Sequence, residues 1–567
     1  MATNYRWWNR MWHVTCASCH NKLEHPNGHW TEMQATHLEK RKLNQLAPIS
    51  RLYPEIFSTI FCHVRDSTIR PFPLVWTWGR TKDCIGLTHV CHAWRDIAIN
   101  TPTLWAKIFI SVEDHLEWVQ EMLRRSKQCS LSILVYDQSS LKAVDPILHG
   151  LKNNMHRFSE LTLLNITNHD LYNFFLNSHT HRLESLRISP HCIHSDDPSV
   201  ARFTLSDNFL RVDSLRYLSI DHCSLDFQSA LLHSLTHLEL VDIDKDCRLS
   251  CMEFVAILAT IPGLERLRLE GFLKVDEGED VEAYVTRASK THLHIKYLDL
   301  SCRILGEMEQ FLCTLVLPSS CELRLRISHE GPEIPPGFQL ITSWLSRHFQ
   351  SAPSLHSFRS HLRRWGETCY VASDLQVTGS YDSELEPEGS HLGEQLSASV
   401  LLFHDSQSDR DTKLTDDIRR SFLKSLPLSD IVSLEVVDES VTLPDSVWVE
   451  VFAPLTSLKT IIINSNHYAA FFRIASPDSS NSIAFPFPAL SFVTVKAHHV
   501  EDYLSITSSL DSRLEAGLAL INLVFYTDNI KPDAIAQLRK SALSVQVHPL
   551  SSSLLVHWFD LQCIIYS

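Results

Sequence analysis

A short phrase with apolar residues at its first, fourth and sixth positions occurs ten times and constrains the fold more than any other feature. Leu235-x-x-Leu238-x-Leu240 is a typical example. Within two groups, successive phrases start 20 to 32 residues apart, which suits one strand plus one return helix. The phrases begin at Phe158, Leu183, Leu215, Leu235, Leu264, Ile295, Ile431, Leu458, Leu490 and Leu520. Because alternate strand residues share a face, the fourth and sixth positions are predicted to point inward from parallel strands.

This phrase is the core pattern of a leucine-rich repeat, and the intervening segments contain suitable helices. Residues 251–259 form an apolar run before Pro262-Gly263, and residues 338–349 and 414–426 are further helical segments. A single repeat cannot bury both of its faces, so stacking of repeats supplies the core. The predicted fold class is α/β, an N-terminal helical module followed by an irregular leucine-rich-repeat solenoid with parallel strands and return helices. A general α/β domain with coincidental leucines explains ten compatible spacings less well.

Two apolar helical segments precede the repeats, between Leu52 and Trp105. In the first, Pro54 suits the first helical position, and an apolar stripe follows at helical spacing. The second, residues 87–98, is predicted to be one amphipathic helix with a single apolar face. That face consists of Leu87, Val90, Cys91, Trp94, Ile97 and Ala98. Two short apolar helices this close in sequence are expected to pack together.

The same stretch resembles the F-box family. Pro54-Glu55-Ile56, Val90-Cys91, Trp94-Arg95 and Leu104-Trp105 match the family pattern in type and order, over about a tenth of the chain. Tyr53 stands where the family commonly has proline, and residues 66–86 exceed the usual connection. The alternative is an ordinary helical hairpin. The residues assigned to adaptor binding or to the F-box core are Leu52, Pro54, Glu55, Ile56, Ile60, Phe61, Val90, Cys91, Trp94, Leu104 and Trp105.

The resemblance implies the substrate-recognition subunit of a Skp-cullin-F-box ubiquitin ligase. The F-box would dock on a Skp-family adaptor and, through it, a cullin, while the repeats bind an unknown protein substrate. Ubiquitin transfer would then be carried out by partner subunits, and this chain would not be an enzyme. A second hypothesis keeps the repeats as an interaction scaffold without a ligase role.

The chain divides by composition into five segments. Residues 1–45 are expected to be partly helical or disordered, and residues 46–110 to form the F-box-like module with an insertion at 66–86. The repeats occupy 111–372 and 418–567, separated by an acidic loop at 373–417 that is rich in Gly, Ser, Asp and Glu. The apolar residues 554–566 are expected to form a terminal strand or cap.

Charge and cysteine content exclude several classes of function. The net charge of -15 argues against nucleic acid as a partner, because phosphate binding needs a clustered positive surface. The sequence contains no run of 18 or more apolar residues, so we expect no membrane-spanning helix. The N-terminus lacks the apolar core of a secretory signal. Fifteen scattered cysteines are unlike a secreted disulfide framework, so we expect a cytoplasmic or nuclear protein with reduced thiols.

The sequence contains one string with metal or haem chemistry. Cys16-Ala-Ser-Cys19-His20 matches a c-type haem attachment pattern and half of a zinc site, with His13, His25 and His29 as further zinc ligands. A chance match is favoured, since such short motifs have many false positives. A metal- or haem-dependent enzyme is therefore a third hypothesis. Because the phosphate-binding, dinucleotide and hydrolase motifs are also missing, we predict no catalytic residues, metal or cofactor.

Overall fold

The computed structural model describes residues 42, 44–68, 83–111, 116–136, 150–166, 174, 182–190, 204–205, 214–243, 245–274, 290–302, 305–328, 338–349, 357–367, 370–380, 395–405, 417, 419–438, 443–464, 468–476, 486–497, 500 and 503–549. The chain forms two compact units. The first comprises Met1–Ala106 with Met122–Cys129, and the second comprises Lys107–Glu121 with Ser130–Ser567.

The first unit is helical. A 3-10 turn at Pro48–Arg51 precedes α1 (Pro54–Thr68), and α2 (Asp83–Val90) is followed by α3 (His92–Ile99) and a second 3-10 turn at Pro102–Trp105. Pro54 is the first residue of α1, as predicted, because its fixed φ suits that position and its missing N–H has no intrahelical role there. The predicted insertion at 66–86 overlaps the last turn of α1 and the start of α2.

The prediction of a single helix over residues 87–98 is wrong, because Cys91 interrupts the helical conformation and separates two helices. Cys91 adopts an extended conformation (φ -156°, ψ 172°), and its Sγ accepts a hydrogen bond from the Trp94 backbone N–H at 3.5 Å. This thiol caps α3 and satisfies one of the N–H groups that a helix start leaves without an intrahelical partner. The break also leaves Val90 exposed, so the predicted single apolar face does not form.

The second unit is built on a 17-stranded sheet. Its strands are β1 (Lys107–Ser111), β2 (Leu131–Tyr136), β3 (Phe158–Ile166), β4 (Ser185–Pro190), β6 (Tyr217–Asp221), β8 (His237–Val241), β9 (Arg266–Glu270), β11 (Tyr297–Cys302), β13 (Glu322–Ser328), β14 (Ser357–Glu367), β15 (Tyr370–Ser380), β16 (Gln395–Asp405), β17 (Ser433–Asp438), β18 (Thr460–Asn464), β19 (Phe492–Lys496), β20 (Asn522–Tyr526) and β21 (Ser544–His548). Two small parallel pairs join β5 (Thr204–Leu205) to β7 (Ser224–Leu225), and β10 (Thr291–His292) to β12 (Leu315–Val316).

Parallel neighbours follow one another in chain order on both sides of one interruption. The first run is β1-β2-β3-β4-β6-β8-β9-β11-β13. The second run is β17-β18-β19-β20-β21. All ten phrases form strands of these runs, and each of their three apolar positions is at most 5% exposed. The predicted inward direction of these side chains is therefore confirmed.

Between the two runs, three long strands join the sheet. β16 pairs with β13 in parallel, β15 pairs antiparallel with both β16 and β14, and β14 pairs in parallel with β17. The sequence predicts an acidic loop throughout 373–417, whereas residues 373–380 and 395–405 lie in β15 and β16.

Further helices alternate with the strands in the part of the chain that the structure describes. They include α4 (Leu116–Arg125), α5 (Cys251–Leu258), α6 (Leu305–Thr314), α7 (Phe338–Phe349), α8 (Asp445–Val447, continuing as a π-helical turn through Phe452), α9 (Tyr468–Ala475), α10 (Tyr503–Glu515) and α11 (Pro532–Ser541). α5 starts with a capping box, in which Ser250 and Glu253 each accept from the other's backbone N–H. The structure confirms the α/β class and the large parallel sheet.

Candidate docking sites

The helical module is held together by an aromatic cluster. The Trp94 ring lies 5.5 Å from the Phe57 ring and 5.2 Å from the Phe61 ring, centroid to centroid, and both phenylalanines are buried. Phe57 and Phe61 are one helical turn apart, so they present one face of α1 to the Trp94 side chain of α3. Such contacts add to the stabilisation from apolar burial.

The second 3-10 turn packs into the same module through Trp105. Its indole Nε1–H donates to the Ala98 carbonyl at 2.7 Å, which fixes the turn to the end of α3. The guanidinium of Arg125 lies 4.4 Å from the centre of the Trp105 ring. Leu104, the preceding residue, is fully buried. Leu104 and Trp105 thus belong to the module core.

A buried arginine ties α1 to that turn. Arg65 Nη1 donates to the carbonyls of Thr103 at 2.5 Å and Leu104 at 3.2 Å, and Nη2 lies 2.9 Å from Asp66 Oδ1. The charge is therefore compensated by one carboxylate, and the carbonyls at the turn are satisfied. Sequence reasoning missed Arg65, because a lone arginine in an apolar helix carries no signal of its partners.

A second stripe of α1 is apolar but exposed. On the helix, Ile56 is 44% exposed and Val64, two turns further on, is 36% exposed. Leu52 and Tyr53, just before the helix, are 36% and 74% exposed. Ile56 and Phe57 differ by about 100° around the helix axis, so adjacent positions separate an outer stripe from the buried one. Val90, at the end of α2, is 58% exposed. Leu46 and Ile49, upstream of α1, are exposed as well.

The structure thus divides the residues that sequence analysis could not separate. Phe61, Leu104 and Trp105 are buried; Ile60, Cys91 and Trp94 are half-buried; Leu52, Pro54, Glu55, Ile56 and Val90 are exposed. The site assignment from sequence left out Phe57 in the core, and Leu46, Ile49 and Tyr53 on the surface. The helical spacing of the apolar residues already placed Phe57 on the stripe of the first helix, four residues before Phe61.

A second candidate surface is the outward face of the first parallel run. Along each strand, residues between the buried leucines point away from the helices, and the register aligns them into rows across the sheet. One row is Ser185, Tyr217, His237, Arg266, Tyr297 and Glu322, and the next is Arg187, Ser219, Glu239, Arg268, Asp299 and Arg324. Charged and aromatic side chains therefore cover neighbouring strands.

Four charges on this face form a closed ring, which we call the ionic ring: Arg268, Glu270, Asp299 and Arg326. Arg268 Nη2 lies 3.1 Å from Glu270 Oε2, and Arg326 Nη2 lies 3.3 Å from the same atom. Arg326 Nη2 also lies 3.1 Å from Asp299 Oδ1, while Arg268 Nε lies 3.9 Å from Asp299 Oδ2. Burial alone lowers the pKa of Arg268, but Asp299 and Glu270 raise it above its ordinary value. The ring neutralises both carboxylates.

Beside the ionic ring, the aromatic side chain of Tyr297 lies between two guanidinium groups. Arg266 Cζ is 5.0 Å and Arg324 Cζ is 5.9 Å from the centre of its ring. Burial, followed by the charge of Asp299, raises the pKa of Tyr297 to about 12, so its hydroxyl remains protonated at neutral pH. The Tyr297 hydroxyl donates a long hydrogen bond to Asp299 Oδ2 at 3.5 Å.

The part of the chain that the structure describes contains no group of three or more His, Cys, Asp or Glu residues placed to hold a metal ion. Among those same residues, no helix is long and apolar enough to cross a membrane. The haem-like string Cys16 to His20 and the apolar residues 554–566 lie outside the described residues. No protein-family model matches the chain, and a search of curated proteins found no significant match.

Proposed function

We propose that this chain is the substrate-recognition subunit of a Skp-cullin-F-box ubiquitin ligase, with the first unit as the F-box module. The observation that carries the proposal is the separation of two apolar stripes on α1. One builds the core through Phe57 and Phe61, and the other remains exposed at Ile56 and Val64. A hairpin that needed its apolar residues only for its own core would not display a second stripe to solvent.

The exposed apolar residues have the composition of a protein-binding surface. Leu52, Tyr53, Ile56 and Val90 supply aliphatic and aromatic groups, and Glu55 and Pro54 lie among them. In the F-box pattern these positions belong to the adaptor-binding module. The proposal assigns Leu52, Ile56 and Val90 to the adaptor interface, and Phe61, Leu104 and Trp105 to the core beneath it.

The second unit is proposed to be the degenerate leucine-rich-repeat array that holds the substrate. Its regular inward leucines leave the outward positions free to vary, which is what a recognition surface requires. By holding a substrate on the same chain as an adaptor-binding module, it raises the local concentration of substrate near the transfer site. Ubiquitin transfer is the work of partner subunits, and the complex acts in the cytoplasm or the nucleus.

Co-purification with a Skp-family adaptor tests this proposal. We expect the full chain to capture the adaptor, and Ile56→Asp to weaken binding roughly thirtyfold, about 2 kcal/mol, because it buries a charge at the centre of the interface. Leu504→Asp is the matched control, since Leu504 is an exposed leucine of the second unit. Circular dichroism establishes that both variants are folded.

Two outcomes would contradict the proposal. A folded wild-type chain that does not capture the adaptor leaves the alternative, an interaction scaffold without a ligase role. Equal capture by wild type and by Ile56→Asp combined with Val90→Asp would show that the exposed stripe is not the interface.

A further inference from the structure

We propose that Arg266, Tyr297 and Arg324 on the outward face of the sheet form a binding site for an acidic peptide segment. This inference rests on the proposed function, since such a segment would belong to the protein substrate. The three residues, which we call the arginine-tyrosine cluster, come from β9, β11 and β13, three adjacent strands of the first parallel run. Parallel pairing on both sides fixes their relative positions.

The two arginines are free to bind an anion. Among the described residues, neither Arg266 nor Arg324 has a hydrogen bond or an ion pair within 4 Å, and each lies against the Tyr297 ring. Their neighbours differ in this respect, because Arg268 and Arg326 are both committed to the ionic ring. A guanidinium group carries five N–H donors in a planar fork that matches carboxylate and phosphate oxygens.

Most nearby carboxylates are already engaged and cannot satisfy these arginines. Glu270 and Asp299 belong to the ionic ring, and Glu265 is paired with Lys296 at 2.7 Å. Glu239 Oε2 accepts from the neutral Ser219 hydroxyl at 3.1 Å, and Glu239 is the register partner of Arg268 on the neighbouring strand. Glu322, the register partner of Tyr297, is the remaining acid on the row. Free donors on the two arginines therefore exceed the free acceptors around them, and the complementary ligand is an anion.

The geometry favours an extended ligand with more than one anionic group. Arg266 and Arg324 lie on strands two apart in the sheet, a separation of about 10 Å. An extended peptide covers that distance in about three residues. The Tyr297 ring between them offers an apolar surface for the intervening side chain, and aromatic and arginine residues are the types that dominate protein interfaces.

The net charge of the whole chain makes this inference testable. At -15 the protein repels an acidic peptide at long range, so binding of such a peptide must come from a local site. We therefore choose labelled hexaglutamate as the probe, with fluorescence anisotropy of the full chain as the measurement. Hexalysine is the probe of opposite charge, and a peptide of equal length with phosphoserine at alternate positions distinguishes carboxylate from phosphate as the anion.

Wild type is expected to bind hexaglutamate, and Arg266→Gln combined with Arg324→Gln to weaken that binding by about tenfold or more. Arg539→Gln combined with Lys540→Gln makes the same charge change on an exposed part of α11 and is expected to bind like wild type. Tyr297→Leu removes the ring that positions both guanidiniums and should weaken binding about threefold, whereas Tyr297→Phe keeps the ring and restores it. Tighter binding of the phosphoserine peptide that the double arginine variant abolishes would identify phosphate as the anion.

The proposal is overturned if the double arginine variant binds both acidic peptides as wild type does, or if the control variant loses as much affinity. Tighter binding of hexalysine than of both acidic peptides would overturn it as well. Peptide binding is measured without the adaptor, while the role of the helical module is tested by Ile56→Asp. Failure of one inference is therefore distinguishable from failure of the other.

Discussion

The two parallel runs of the sheet share one inward pattern but differ on their outward face. In the first run, the central row across β8, β9 and β11 is Glu239, Arg268 and Asp299. In the second run, the equivalent row across β18, β19 and β20 is Ile462, Thr494 and Val524. The inward positions are apolar and buried in both runs. The strand pairing therefore accepts either charged or apolar residues at the outward positions.

The runs also differ in how they accommodate buried charge. On the first run, Asp299 is compensated by Arg268 and Arg326 in the ionic ring. In the second run, Arg513 of α10 is 2% exposed and is held by backbone carbonyls. It donates to Ala475 O at 3.2 Å, Pro486 O at 2.8 Å and Phe487 O at 2.9 Å. Opposite charges stabilise the first arrangement, and hydrogen bonds to the main chain stabilise the second.

Substitution of Arg513 is expected to have the largest effect. Arg513→Met keeps much of the apolar stem but removes the guanidinium donors from three buried carbonyls, of which Phe487 O still accepts from the Leu490 backbone N–H. The lost hydrogen bonds cost roughly 4 kcal/mol of unfolding free energy. Burial lowers the pKa of Arg513 to about 10, so the guanidinium is still charged at neutral pH. Arg513→Lys keeps the charge but not the planar group whose N–H donors point at the three carbonyls, so it is not expected to restore stability. Urea unfolding followed by circular dichroism measures the loss.

The matched control is Arg473→Met on α9, an exposed arginine paired with Asp445. It should cost less than about 0.5 kcal/mol. Equal destabilisation by the two substitutions would mean that the carbonyl contacts of Arg513 do not stabilise the second run.

Glu309, on α6 between strands of the first run, is a buried carboxyl group with no cation paired to it among the described residues. Glu309 is 3% exposed, Oε1 has no hydrogen-bond partner among the described residues, and burial raises its pKa to about 7. Glu307 lies on the same helix, and Cys313 lies one turn on. Burial raises the pKa of the Cys313 thiol, Arg347 of α7 opposes that shift, and the charge of Glu309 adds to it. Unlike Asp299, Glu309 has no cation beside it in the described part of the chain to offset its burial, which favours the protonated carboxyl.

The consequence is a pH-dependent stability. The pKa of Glu309 in the folded state lies above its value of about 4.3 in the unfolded state. The protonated carboxyl therefore contributes its full stabilisation below about pH 4.3, and this stabilisation of the folded state is lost as the pH rises toward 7. Glu309→Gln cannot ionise, and it should therefore exceed wild type by up to about 3 kcal/mol at pH 8 while differing little at pH 4. Urea unfolding at several pH values measures this difference.

Glu450→Gln provides a control of opposite sign, because the hydrogen bond from Lys424 lowers the pKa of Glu450. Its effect should be a small loss of stability toward neutral pH, within about 0.5 kcal/mol. An unchanged difference between Glu309→Gln and wild type across the pH range would show that Glu309 is not a buried acid.

The inward half of the sheet could be predicted from sequence, because hydrophobic periodicity is a local signal repeated ten times. The outward half could not, since partners such as Arg268 and Asp299 are adjacent through register and not through sequence. The same limit explains residues 373–380 and 395–405, where polar composition indicated a loop and pairing with neighbouring strands formed β15 and β16. The wrong prediction at Cys91 has a local cause, because apolar spacing suited one helix but a thiol cap three residues before Trp94 divided it.

The smallest of the predicted effects tests whether the ionic ring stabilises the first run or serves mainly to hold its outward side chains in place. Asp299→Asn retains the shape of the side chain but removes the charge that Arg268 and Arg326 share, and we expect a loss of about 2 kcal/mol in urea unfolding. Asp445→Asn, at an exposed ion pair, should change stability by less than about 0.5 kcal/mol. If Asp299→Asn is as mild as Asp445→Asn, the ring contributes no more than a surface pair does. The contrast between the two runs would then concern recognition, because the ring would still engage the acids that could otherwise neutralise Arg266 and Arg324.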